Sequence, residues 1–184
     1  MNEGLKFIIT IILGLALGYA SALHMAGGAA GSGAVRAGGW VIWPRAGAVD
    51  ASPYAKLHYA ARRILPPSHL HVLEFTARRD DTDTALDGDC HYVLTGKLPA
   101  AQWWRLTLAG ADGDVSSISS FHALHDADGM TRVRIAATLR AGNWLKAPAG
   151  ESFTLVLRLY GVSPLIRDRV IRRAPLTITR EECR

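Results

Sequence analysis

From Phe7 to Leu23 the chain reads FIITIILGLALGYASAL, an apolar run with no charged residue. A segment apolar on every face cannot be the surface helix of a water-soluble domain, and the Gly-rich stretch that follows sets it apart from a core helix. At about 17 residues it is short for a bilayer crossing, and continuing through His24-Met25-Ala26-Gly27-Gly28 completes a tilted span. Ala20-Ser21-Ala22 also has the small-x-small form that signal peptidase accepts, so a cleaved secretory signal is the alternative. The anchor reading is preferred, because the apolar core is long for a signal and the small residues run on as AGGAAGSGA, suited to a flexible linker. The expected organisation is an anchor over residues 1–27, a Gly/Ala-rich linker over 28–38 and an extracytoplasmic domain over 39–184. The expected location is a bacterial inner membrane, crossed once, with the N-terminus cytoplasmic and the domain periplasmic. Orientation rests on the N-terminal amine and Lys6, offset by Glu3.

The remaining stretch of about 145 residues is one ordinary domain, long enough to bury a core. In an exported chain, Cys90 and Cys183, with no metal-binding spacing, read most simply as one disulfide. It would close a loop of about 94 residues, for which chain entropy gives an upper figure of about 4–5 kcal/mol. The formal charge of +5 comes mainly from arginine. An exported basic protein meets anionic lipids and envelope polymers, so nucleic acid is not an expected partner. Only Arg167, Arg169, Arg172 and Arg173 are dense enough to suggest a patch.

Ser52-Pro53 ahead of YAKLHYAARRIL supplies a cap, a first-turn proline and helical spacing of Tyr54, Leu57, Ala61 and Leu65, predicting one helix of about three turns stopped by Pro66-Pro67. From His71 onward the period becomes two. Segments HVLEFTAR, CHYVLTGK, WWRLTLAG, VSSISSFHAL, MTRVRIAATL and SFTLVLRLYGV have strand character, and Asp87-Gly88, Asp112-Gly113 and Asp128-Gly129 are the hairpin signals. Six to eight antiparallel strands must close or stack to keep an apolar face dry. The expected fold is therefore mainly β, a jelly-roll-like antiparallel β-sandwich with one short N-terminal helix, preceded by a transmembrane helix.

These segments carry an ordered set of motifs. They are Gly39-Trp40, Trp43-Pro44, Ala46-Gly47, Asp50-Ala51-Ser52-Pro53-Tyr54, Leu86-Asp87-Gly88 leading to Cys90 and Tyr92, and Pro99-Ala100 before Trp103-Trp104. Asp126-Ala127-Asp128-Gly129, Gly142-Asn143-Trp144-Leu145, Leu155 to Tyr160 and Glu182-Cys183 continue the series. With them the chain resembles the family called domain of unknown function 1214 over essentially everything after the linker. The resemblance implies a jelly-roll-like sandwich, often in single-domain bacterial proteins with an N-terminal membrane helix and elsewhere as the C-terminal part of a two-domain envelope protein. It implies no established activity. The chain departs from the pattern at Ala109-Gly110-Ala111, where relatives tend to read Tyr-Asp, and between Asp114 and Ser120, which lacks the usual Asn-Pro loop. A pocket built from that loop is not carried over.

His122, His125, Asp126 and Asp128 are ligand types for zinc or manganese, but residues three apart on a strand point to opposite faces, so no metal site is expected. Trp103, Trp104, Trp144 and Tyr160 could form a sugar-stacking platform, with at most one of the adjacent tryptophans on a given face. Glu74 with Asp80, or Asp87 with Asp89, could serve glycoside cleavage only if a cleft holds them at the required separation, and their place at strand ends and turns favours a structural role. No GxSxG elbow, HExxH helix or phosphate-cradling loop is present. No cofactor is expected. In LVLRLY, alternation sets Leu155, Leu157 and Leu159 against Val156, Arg158 and Tyr160, giving Arg158 and Tyr160 a shared surface. The reading is a non-catalytic, membrane-anchored envelope protein whose sandwich binds a partner protein or an envelope glycan, with Arg158, Tyr160, Trp104 and Trp144 as candidate binding residues. The alternative is an enzyme acting on a cell-wall or exported carbohydrate.

Overall fold

A computed structural model describes residues 2–26, 32–111 and 113–183, with the side chains at 114 and 115 excepted. Residues 28–31 of the expected linker, and Asp112 of one expected turn, lie outside the described residues. The chain begins with helix α1 (Glu3–Ala26), which among the described residues is the one helix long and apolar enough to cross a membrane, and its apolar stretch packs on nothing else. Strands β1 (Val35–Ala37) and β2 (Trp40–Ile42), helix α2 (Pro53–Ala61) and strand β3 (Val72–Ala77) follow. Then come β4 (Cys90–Gly96), β5 (Trp103–Gly110), β6 (Gly113–Ser119), β7 (Thr131–Ala136), β8 (Trp144–Lys146) and β9 (Thr154–Tyr160). Helix α3 (Pro164–Ile171) and strand β10 (Thr177–Cys183) complete the order.

The strands form two sheets, a six-stranded one in the order β1-β2-β3-β9-β5-β6 and a four-stranded one in the order β10-β4-β7-β8. One core lies between them, because alternation gives each strand a single dry face. Leu73 and Phe75 of β3, Leu106 and Leu108 of β5, and Leu155, Leu157 and Leu159 of β9 meet Tyr92 and Leu94 of β4, Val133 and Ile135 of β7, and Ile178 of β10. The mainly β, two-sheet expectation holds. The all-antiparallel expectation is corrected at one pair, since β7 runs parallel to β8, and the ten strands among the described residues do not establish the jelly-roll form. The extra strands include β1, β2 and β8, three residues each, and β10, a polar strand at the sheet's edge. Cys90 and Cys183 form a disulfide that joins β10 to β4, where the two residues sit opposite one another.

Helix α2 starts where its cap predicts, with Ser52 Oγ accepting from the Ala55 amide at 3.1 Å. It stops short of Pro66, because Arg63 takes φ +55°, a left-handed conformation that ends the α-helical ladder. A further helix, α3, corrects the expectation of a single short helix. It sits between β9 and β10 and carries the arginines 167, 169 and 172 at its outer side and end, while Val170 and Ile171 enter the core. Asp128-Gly129 does make a tight turn, with the Gly129 amide donating to Asp126 O at 2.8 Å. Asp87-Gly88 instead carries the chain from one sheet to the other, and a Cβ on Gly88 would lie 1.6 Å from Pro148 O, so only glycine fits.

Candidate functional site

The outer face of the six-stranded sheet is divided. Over β2 and β3 it is covered by α2, and over β9, β5 and β6 it is bare. Strand alternation places Glu74 and Thr76 of β3, Arg158 and Tyr160 of β9, Trp103 and Arg105 of β5, and Ser117 and Ser119 of β6 on this face.

Under α2 the face is a closed polar network. Glu74 accepts from Tyr59 Oη at 3.0 Å and from Arg158 Nε at 2.7 Å, and its side chain is 4% exposed. Burial, followed by the neighbouring Glu74 carboxylate, pushes the Tyr59 phenol well above its usual range, so it stays a donor. One residue earlier on α2, buried His58 donates from Nδ1 to the carbonyl of Ala26, the last residue of α1, at 2.7 Å. That bond leaves Nε2 as the acceptor for Arg62 Nη1. Burial, reinforced by the Arg62 and Arg78 charges, brings the imidazole pKa down to about 4, so His58 is neutral at pH 7.

The bare half carries a row of rings. Trp103 and Tyr160 are directly opposite on β5 and β9, and their rings stack with centroids 3.8 Å apart and planes within 4°. Phe121, just after β6, lies on the other side of Trp103 at 6.4 Å and is 79% exposed. Beside the row, Arg105 faces Arg158 across the strands, like charges that would repel if both were uncompensated. Glu74 neutralises Arg158. Arg105 donates only to Ser117 Oγ, at 3.0 Å, and has no carboxylate within ion-pair distance among the described residues.

Arg158 and Tyr160 therefore share one surface. Trp104 does not join them: it points into the core, 6% exposed. Trp144 lies on β8 of the other sheet, its indole donating to Ala136 O at 3.1 Å. The residues missing from the sequence reading of this face are Phe121, Arg105 and Tyr59. Arg105 could have been found, since it stands two residues from Trp103 on one strand and so shares its side; Phe121 lies in a loop with no periodicity to place it.

The carboxylates considered for catalysis are committed elsewhere. Asp80 is drawn up by burial, an effect outweighed by hydrogen bonds from Thr82 and Thr84 and by Arg180, so its pKa lies below the usual carboxylate value. Asp87 accepts from the Asp89 amide, and Asp89 from the Gly150 amide. His125 pairs with Thr131 Oγ1 and His122 with Ser119 Oγ, and among the described residues no three His, Cys, Asp or Glu side chains converge as a metal site. The small residues Ala109-Gly110-Ala111 line an open depression together with Arg78 and Arg79.

Fold and surface together define a two-sheet β protein with an apolar N-terminal helix and an aromatic and arginine face left to solvent. The chain belongs to the family described as protein of unknown function (DUF1214), which matches residues 71–164. Among solved structures, the chain is similar to the VPA0106 protein from Vibrio parahaemolyticus, with 22% identity and a TM-score of 0.56 over 72% of this chain and 36% of that one. It is also similar to an uncharacterized protein from Burkholderia cenocepacia, with 22% identity and a TM-score of 0.47 over 61% of this chain and 30% of that one. The chain thus spans about a third of the length of each solved protein. No curated protein matches.

Proposed function

We propose that this is a membrane-anchored, non-catalytic binding protein of the bacterial cell envelope that docks a partner protein on the bare half of its six-stranded sheet. In this reading α1 crosses the inner membrane once, the N-terminus is cytoplasmic and the β domain is periplasmic. The disulfide supports an oxidising compartment. The observation that carries the binding role is the row Tyr160, Trp103 and Phe121 beside Arg105, because tryptophan, tyrosine and arginine are the side chains that dominate protein interfaces. Trp103 already has one ring face stacked on Tyr160, and Phe121 lies 6.4 Å from it, so the row is a cluster of rings in contact rather than a single open platform of the kind a sugar ring stacks on. The uncompensated Arg105 favours a partner that brings a carboxylate.

The test is purification of the full chain from membranes in mild detergent. The expected result is a fixed protein partner that co-purifies at constant ratio with the native chain and is lost with Phe121→Ser or Arg105→Ser. Retention of the same partner by both variants would remove the bare face from the account.

A further inference from the structure

Where α1 meets the β domain, a small basic cavity opens. It measures about 120 Å³ and is lined by Arg36, His58, Arg62, Arg78, Arg79 and Asp83, with the backbone of the β1–β2 turn alongside. The one carboxylate of this lining is already engaged: Asp83 lies 3.8 Å from Arg79, which also donates to the Asp83 carbonyl. Nearby Asp81 is taken by the amides of Gly39 and Ile178. The hydrogen-bond partner of Arg62 is the neutral ring of His58, and the Arg78 guanidinium makes no hydrogen bond or ion pair among the described residues. Arg62 and Arg78 thus face this cavity with no carboxylate bonded to either among the described residues, which leaves room for an anion. Burial and then the nearby Arg78 charge bring the Arg62 pKa down to about 10.

The position of the cavity indicates what that anion is. His58 touches both the cavity and the last carbonyl of α1. A 24-residue helix is about 36 Å long at 1.5 Å per residue, against a hydrocarbon layer of about 30 Å, so its end emerges among the lipid headgroups. Just beyond Arg62, Ile64 and Leu65 are exposed, Leu65 at 93%. Exposed apolar side chains next to arginines that bond no carboxylate are the pattern of a surface resting on an anionic bilayer.

We propose that this cavity seats the phosphate of an anionic phospholipid headgroup at the membrane surface where α1 emerges. Arg62 and Arg78 supply the charge, and the guanidinium fork suits the phosphate oxygens. The proposal rests on the reading of α1 as a membrane span, but it concerns a different surface from the aromatic row.

The test reconstitutes the full chain in nanodiscs of phosphatidylcholine with and without phosphatidylglycerol, and reads the lipid retained on release by native mass spectrometry. The expected result is that the native chain keeps phosphatidylglycerol in preference to phosphatidylcholine. Arg62→Gln with Arg78→Gln should weaken that retention roughly thirtyfold, the ratio for two cationic side chains at an anionic surface. Arg172→Gln with Arg173→Gln, beyond α3, should leave it unchanged. No preference in the native chain, or equal loss in both double variants, overturns the proposal, and the first comparison needs no variant to fold. Inorganic phosphate added to the lipid-free chain in detergent separates the sources: binding as tight as the lipid's would make this a site for free phosphate and overturn the lipid assignment. A chain that does not enter the nanodisc at all defeats the anchor reading instead, and this proposal with it.

Discussion

The two halves of the outer sheet face belong to one continuous sheet and differ in what lies over them. Beneath α2, Glu74 is buried and accepts from Tyr59 and from Arg158, which reaches in from β9 and stays partly in solvent. On β9, β5 and the loop after β6, Tyr160, Trp103 and Phe121 lie uncovered by any helix, with Arg105 beside them. The covered half closes its polar groups and holds the structure together. The bare half leaves apolar area and one cation open, at a cost in solubility that a folded domain without a partner has no reason to carry.

If this division is right, the largest effect on stability comes from the covered half. Glu74→Ala leaves Tyr59 and Arg158 without their acceptor and is expected to destabilise the fold by about 2–4 kcal/mol, the lower part of that range reflecting the solvent that still reaches Arg158. The urea midpoint measures it. Tyr59→Phe removes one hydrogen bond to the same carboxylate and should cost about 1 kcal/mol in the same assay.

Acid should act on the covered half as well. His58 has its pKa lowered from 6.5 to about 4 in the folded chain, so between those values the unfolded chain binds a proton that the folded chain does not. Stability from this group is full above pH 6.5 and is lost as the pH falls to about 4. Urea midpoints across that window should fall for the native chain, and His58→Gln should flatten the slope. The smallest stability effect belongs to the bare half: Phe121→Ser should change the thermal midpoint by no more than about 0.5 kcal/mol allows, while still abolishing partner binding.

Much of this geometry is legible in the sequence and some is not. LVLRLY alternates strictly, so Arg158 and Tyr160 can be placed on one face opposite three leucines. What alternation cannot say is which strand lies next to β9, and the Arg158–Glu74 pair joins residues 84 apart in the chain. The adjacent tryptophans must part, yet only the packed sheets decide that Trp104 goes inward and Trp103 outward. The α2 start is written in Ser52-Pro53, whereas its end depends on a left-handed arginine, a conformation that sequence normally signals with glycine. Helix α3 has its own Ser163-Pro164 start, but its charged residues dilute the apolar period. Strand β10 is hidden by Arg180, Glu181 and Glu182, and it pairs with β4 beside the disulfide.

The most direct test puts a photo-crosslinking amino acid at position 121 on the bare face, and at position 179 on the exposed side of β10, in the full chain within intact membranes. The account predicts a protein adduct of one discrete mass from position 121, lost when Trp103→Ala is added, and none from position 179. No adduct at 121, or the same adducts from both positions, would contradict it.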